Sequence, residues 1–245
     1  MLLDQRRVLR LAALRNLRDV GGYPTLDGRQ TRWSTLYRSD CLDRLTPEGQ
    51  ASLLQIGLRS VIDIRDHTEV ADRPNAFATS TQLAYRHLPF FEGPPPDDYA
   101  PDLREGYRRE LDMLGSPLVA LVEQLVRPGT LPTLVHCAAG KDRTGVAIAV
   151  ILAAVRTDPR AIVEDYALSE ACLGPTYLEE TRAWVLSSGW DWSAWEHTVF
   201  TPPERMLKTL AYLDERHGGV ERYLLDRGLS ASSLPMLREA LTEST

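Results

Sequence analysis

Leu134-Val135-His136-Cys137-Ala138-Ala139-Gly140-Lys141-Asp142-Arg143-Thr144-Gly145 is the stretch on which the reading of this chain turns. An apolar run ends at Cys137, a loop containing Gly140 follows, and Gly145 to Val155 is almost wholly aliphatic, which predicts a buried strand, a tight loop and a buried helix. Five residues separate Cys137 from Arg143. That is enough for Ala138, Ala139, Gly140, Lys141 and Asp142 to wrap their backbone N–H groups round one tetrahedral anion, with the helix N-terminus aimed at it. The planar fork of Arg143 grips two phosphoryl oxygens, as the point charge of a lysine does not. A free thiol, with a pKa of about 8.5, is mostly protonated at neutral pH, whereas a helix N-terminus and a nearby cation favour the thiolate. Cys137 is therefore expected to be a nucleophile. Thr144 is placed to donate its hydroxyl to the sulfur as it leaves, and His136 to support the loop from the strand end.

Two blander readings fail on spacing. A nucleotide-binding loop ending in Gly140-Lys141 needs glycine at position 135 and Ser or Thr at 142, where this chain has Val135 and Asp142. A sulfurtransferase loop usually has one residue fewer before its arginine. A buried structural thiol explains neither Gly140 nor Arg143.

HCAAGKDRTG resembles the HCxxGxxR[ST]G loop of the protein tyrosine phosphatase superfamily. Its GKDRTG version is similar to the bacterial tyrosine/serine phosphatases of dual or triple specificity, some of which also act on phosphoinositides. Asn16 to Tyr23, Arg32-Trp33, Leu36 to Asp40 and Val61 to Arg65 resemble that family's pattern in order. The resemblance implies an α/β, protein-tyrosine-phosphatase-like fold: a small, mostly parallel central sheet flanked by helices, with the phosphate loop at its carboxyl edge and a helical C-terminal part. It implies metal-free, cofactor-free hydrolysis of phosphomonoesters through a phosphocysteine. The substrate would be a phosphotyrosine, phosphoserine or phosphothreonine protein, or alternatively a phosphoinositide. A non-catalytic phosphate-binding module is the reading from another class.

Three candidates compete for the general acid. Asp142 comes first, because the resembling family is thought to use its loop aspartate. Asp63 is second: it lies near the end of the run from Arg59 to Ile64, which reads as a buried parallel strand, and an unpaired carboxylate there would cost several kcal/mol. It is either an acid or a hydrogen-bond anchor for the loop. Asp97 and Asp98 lie in the proline-rich loop from Phe90 to Pro101, where many superfamily members keep a mobile acid loop. Lys141 is either a solvated charge or the cation for a second phosphate.

The 245 residues, 43% hydrophobic and 25% charged, suit one phosphatase domain over 1–245 with a helical subregion from about 157 to 245. A net charge of −6 without a long basic run argues against a nucleic-acid partner and against avid electrostatic membrane binding. Cys41, Cys137 and Cys172 are far apart in sequence, as reduced thiols of a cytosolic protein would be. Met1 to Arg18 carries five arginines and an aspartate, so it holds no signal-peptide core, and no segment reaches spanning length without charges. The expected location is the cytoplasm, with a signal-less route of export left open, and the oligomeric state is not readable.

Elsewhere, Thr46-Pro47 predicts a helix start and Gly57 its stop. Leu118, Leu121, Val122 and Leu125 form the apolar stripe of a helix starting at Ser116-Pro117. Thr157-Asp158-Pro159 starts another helix, and the chain beyond it reads as helical, with a capping box at Thr201-Pro202-Pro203-Glu204 and a stop at Gly218-Gly219. Trp33 reads as core, and Arg38 and Asp40 as braces behind the loop. Trp184, Trp190, Trp192, Trp195 and Phe200 are either core under a loop or a lid or substrate wall.

Overall fold

Strand propensity in this chain is concentrated in short apolar runs, and each becomes one strand of a small sheet. The structure, a computed structural model, describes residues 6–91 and 103–245. Its N-terminal half holds β1 (Arg18–Asp19), β2 (Arg29–Thr31), β3 (Leu36–Ser39), α1 (Pro47–Gln55), β4 (Ser60–Asp63), α2 (His67–Asp72) and β5 (Ala84–His87). A one-turn 3₁₀ helix (Leu103–Glu105), α3 (Arg108–Met113), α4 (Gly115–Leu125), β6 (Thr133–His136) and α5 (Asp142–Ala154) follow. The C-terminal part is α6 (Pro159–Ser187), α7 (Trp192–Val199), α8 (Pro203–His217), α9 (Val220–Asp226), α10 (Ser233–Leu241) and β7 (Thr242–Ser244). The loop bearing Asp97 and Asp98 lies outside the described residues.

Five strands form the main sheet in the order β1-β3-β6-β4-β5, parallel except for β1. β6 is central, and His136 pairs in register with Ser39 on one side and Asp63 on the other. The strand ends are thus level, so Asp40, Cys137 and Ile64 all leave the sheet at one carboxyl edge, where ligands of parallel sheets bind. Side chains alternate across the sheet. Tyr37, Val61 and Leu134 pack with Leu53 of α1 on one face. Leu36, Ile62 and Val135 pack with α4 and α5 on the other. α5 is apolar on almost every side because it is enclosed: ten of its thirteen residues are buried.

The local signals at Thr46, Gly57 and Gly218 hold: Thr46 accepts from the Gly49 amide, and Gly57 and Gly218 have φ of 84° and 73°. Three expectations change, and one helix is interrupted. The C-terminal part is not all helix, since β7 pairs with β2 and ties the chain end to the N-terminal half. α6 is broken at Gly174 (φ 68°), before Pro175, so its second half turns away and forms a hairpin with α7. Thr201 caps nothing. Its hydroxyl donates to the Ala167 carbonyl and its amide to Glu170, pinning the return of the hairpin onto α6, and α8 starts without a side-chain cap. Trp33 is half-buried beneath the Arg7 guanidinium, 5.0 Å from its ring, instead of in the core.

The tryptophan cluster is not core either. Trp190 and Trp195 stack at 4.8 Å, with the edge of Trp184 at 5.2 Å from Trp190, and Trp184 and Trp190 remain 52% and 44% exposed. These rings hold the hairpin together by packing on one another. No helix among the described residues is long and apolar enough to cross a membrane.

Candidate active site

The loop from Cys137 to Arg143 joins the end of β6 to the start of α5, and Cys137 is 3% exposed at its base. Three successive carbonyls are held from outside. The Cys41 amide donates to Ala138 O at 2.9 Å. The Asn16 side-chain amide donates to Ala139 O at 2.9 Å and Gly140 O at 3.0 Å, and Arg38 donates to Gly140 O at 2.6 Å. In a trans peptide the C=O and the next N–H point in opposite directions. The amides of Ala139, Gly140 and Lys141 therefore face the other way, into the loop. Gly140 is required twice over: its φ is +66°, and a Cβ there would run into the Ser39 carbonyl and come to 2.7 Å of the Asp40 amide.

The braces are themselves held by buried charge. Arg18 and Arg38 share Asp165 of α6, at 3.1 and 2.5 Å, while the Tyr23 hydroxyl adds a third donor to that carboxylate. Burial works to raise the Asp165 carboxyl, but the two arginines overrule it and hold it at about 2. Arg18 also donates to the Asn16 side-chain oxygen, which fixes which end of that amide faces the loop. Asp40 stands one step back, accepting from the Arg15 and Asn16 amides at 3.1 and 3.0 Å, and so delivers Asn16.

Asp63 is fully buried and spoken for. Arg65 donates to both its oxygens, from Nε at 2.9 Å and Nη2 at 2.7 Å, and the Tyr85 hydroxyl and Asn75 amide also donate to it. Burial opposes ionisation, yet the Arg65 guanidinium keeps its carboxyl well below the ordinary range. Asn75 also donates to His136 Nε2 at 2.7 Å. His136 Nδ1 therefore carries the proton and donates it to the Cys137 carbonyl at 3.0 Å. Of its two sequence readings, acid or anchor, this geometry suits the anchor, because a carboxylate enclosed by four donors has no open face toward a leaving group.

Arg143 is gripped by Glu69, Nη1 to Oε2 at 2.5 Å and Nη2 to Oε1 at 2.7 Å. Burial works to raise the Glu69 carboxyl, and Arg143 brings it down to about 2. Glu69 also closes a capping box with Asp66 at the start of α2, so the residue orienting Arg143 is anchored to its own helix end. The Thr144 hydroxyl is fully buried and has no hydrogen-bond partner among the described residues.

Lys141 is not a solvated charge. Its side chain is 1% exposed, and Nζ donates to both oxygens of Asp142 and, at 2.6 Å, to the Thr198 carbonyl at the end of α7. Asp142 is 41% exposed and also accepts from the Tyr107 hydroxyl. Partial burial favours its neutral form, but Lys141 and Tyr107 hold the carboxyl below its ordinary value.

The sequence profile of the tyrosine phosphatase family matches residues 9–243. The chain belongs to that family. This phosphatase is 27% identical over 278 residues to the triple specificity protein phosphatase PtpB of Mycobacterium tuberculosis, covering 92% of this chain and 96% of that protein. It is 25% identical over 224 residues to a tyrosine-protein phosphatase of Nostoc commune, covering 84% of this chain and 74% of that one. Among solved structures it is similar to TpbA of P. aeruginosa in complex with pTyr, with a TM-score of 0.43, 17% identity, and coverage of 83% of this chain and 91% of that one. Glu69, Tyr107 and Asp165 are contacts of the loop residues that sequence reasoning missed, whereas Asn16 was named only as part of the family pattern. Only Glu69 had a local signal, the Asp66-His67-Thr68-Glu69 spacing of a capping box directly after a strand.

Proposed function

We propose that this tyrosine phosphatase hydrolyses phosphomonoesters of protein side chains by two displacements at phosphorus. The Cys137 thiolate attacks phosphorus in line while the ester oxygen departs, taking a proton from Asp142. The inward amides of Ala139, Gly140 and Lys141, with Arg143 oriented by Glu69, bind the equatorial oxygens. Water then attacks the phosphocysteine, its proton passes to the Asp142 carboxylate, and Cys137 leaves as thiolate with the Thr144 hydroxyl donating to it. Asp142 is ionised in the resting arrangement. An entering phosphate dianion raises the proton affinity of a neighbouring carboxylate by like-charge repulsion, which couples substrate binding to loading of the acid.

The observation that carries this reading is the set of outward-held carbonyls around Cys137, which leaves a ring of amides and one fixed guanidinium for the phosphate. The phosphoinositide alternative drew on Lys141 as a second cation, and its engagement by Asp142 and Thr198 counts against that. The name of the PtpB relative, triple specificity, supports extending the substrate range to phosphoserine and phosphothreonine. The hairpin of α6 and α7, whose end meets Lys141, serves as a wall of the cleft. The test is a panel of phosphotyrosine, phosphoserine and phosphothreonine peptides against soluble inositol phosphates. The reading expects kcat/KM to be greatest for the phosphotyrosine peptide, and a preference for inositol phosphates would reverse it.

A further inference from the structure

Asp142 sits at the end of a buried hydrogen-bonded chain that the mechanism above does not use. The Arg205 Nη1 donates to the Tyr166 hydroxyl at 3.2 Å, the Tyr166 and Tyr107 hydroxyls lie 2.8 Å apart, and the Tyr107 hydroxyl meets Asp142 Oδ1. Both ends of this chain fix its direction. A guanidinium can only donate and a carboxylate can only accept. The Tyr166 oxygen therefore accepts from Arg205 and gives its proton to the Tyr107 oxygen, and Tyr107 has one proton left, which goes to Asp142.

The chain is rigid as well as directed. Tyr107 is fully buried, its ring meets that of Tyr166 edge-on at 5.9 Å, and its amide donates to Thr209 of α8 at 3.0 Å. Arg205 is fastened to the carbonyls of Phe200 and His197 at 2.6 and 2.9 Å. The chain thus runs from the return of the α6–α7 hairpin to the loop carboxylate.

We infer that Tyr107 is a positioning residue for the general acid: its hydroxyl occupies Asp142 Oδ1 in both protonation states, so the transferable proton is confined to Oδ2. Without it the carboxyl would rotate and share its proton between the two oxygens, and only one orientation reaches a leaving group. This inference rests on the assignment of Asp142 as the acid. The charged and titratable groups facing Asp142 are Lys141 from the loop, Tyr107 ahead of α3, Tyr166 and Tyr177 from α6, and Arg205 from α8. Lys141 touches both oxygens, and a proton on Oδ2 displaces it toward Oδ1.

The test is Tyr107→Phe, which removes one oxygen and leaves Tyr166 bonded to Arg205. A hydrogen bond to the ionised form favours that form, so losing it raises the proton affinity of Asp142. The alkaline limb of kcat/KM should move to higher pH by about one pH unit. kcat on phenyl phosphate, a poor leaving group, should fall about tenfold with KM little changed, and kcat on p-nitrophenyl phosphate should fall much less. A merely structural role would slow both esters alike and leave the limb in place, and that result overturns the inference. Asp142→Asn, run beside it, separates the two assignments. If it abolishes the limb while Tyr107→Phe leaves it unmoved, Asp142 is the acid and Tyr107 does not position it. If it keeps the limb, the acid assignment falls and this inference with it. Should Tyr107→Phe fail to melt cooperatively, Tyr166→Phe removes the donor to Tyr107 instead. A smaller limb shift in the same direction supports the chain, and an unmoved limb overturns it.

Discussion

Arg143 and Glu69 meet end to end, each terminal nitrogen of the guanidinium on one carboxylate oxygen, at 2.5 and 2.7 Å. The contact spans the sheet edge, from the start of α5 to the start of α2, and it leaves Nε and the remaining Nη protons for a phosphate. Glu69→Ala should therefore lower kcat/KM by about 30-fold, the equivalent of the roughly 2 kcal/mol that a charge-assisted pair supplies. Affinity for a phosphate analogue such as vanadate should fall with it. Unchanged vanadate binding in the variant would mean that Arg143 is oriented by the loop alone.

Asp63, in contrast, is expected to matter for stability. Asp63→Asn leaves the Arg65 charge buried without a counter-ion, a loss of about 3 kcal/mol or more. In a chain of this length that lowers Tm by roughly 6–12 °C. The pH profile of kcat/KM should keep its alkaline limb in whatever enzyme stays folded. A limb that disappears in this variant would return Asp63 to the list of acids.

Acid should unfold the protein by titrating these same carboxylates. Asp63, Glu69 and Asp165 are all held below their ordinary values, Glu69 and Asp165 at about 2. Groups depressed in the folded state contribute stability above their unfolded pKa, about 4, and lose it as pH falls through the folded value. Denaturant midpoints should thus be flat from pH 7 to about 5 and drop steeply between about 4 and 2. Asp165→Asn should reduce that slope, and a slope identical to wild type would show that Asp165 is not depressed by Arg18 and Arg38.

Thr144 is a hydroxyl without a partner among the described residues, at the base of the loop. If it waits for the departing sulfur, Thr144→Val should slow hydrolysis of the phosphoenzyme about tenfold while phosphorylation is little affected. Stopped-flow release of p-nitrophenol would then show a larger burst before the steady state. A smaller burst, with the first step slowed, would contradict that role.

The loop was legible because its chemistry is contiguous: a nucleophile, a glycine and an arginine within seven positions are set by local geometry. The strands and the enclosed α5 were legible for the same reason, their burial being written in unbroken apolar runs. What was hidden depends on tertiary contact. Asn16 reaches Ala139 across 123 positions, and Arg143 reaches Glu69 across 74. Lys141 read either as a solvated charge or as the cation for a second phosphate, because nothing local says that the end of α7 will fold over it. The break in α6 did have a signal, Gly174-Pro175, but a helical pattern on both sides of it masked the turn. Thr201 shows the converse, a correct capping pattern overruled when the same hydroxyl found a buried carbonyl.

The central claim is that phosphate passes through a covalent bond to Cys137. Rapid quenching of the enzyme in acid during turnover of p-nitrophenyl phosphate, followed by peptide mass spectrometry, tests it directly. One phosphoryl group on Cys137, absent from Cys137→Ser enzyme that has lost at least about a thousandfold in kcat, some 4 kcal/mol of barrier, is the predicted result. A phosphoryl group on another residue, or a serine variant that retains more than about a thousandth of wild-type kcat, would contradict it.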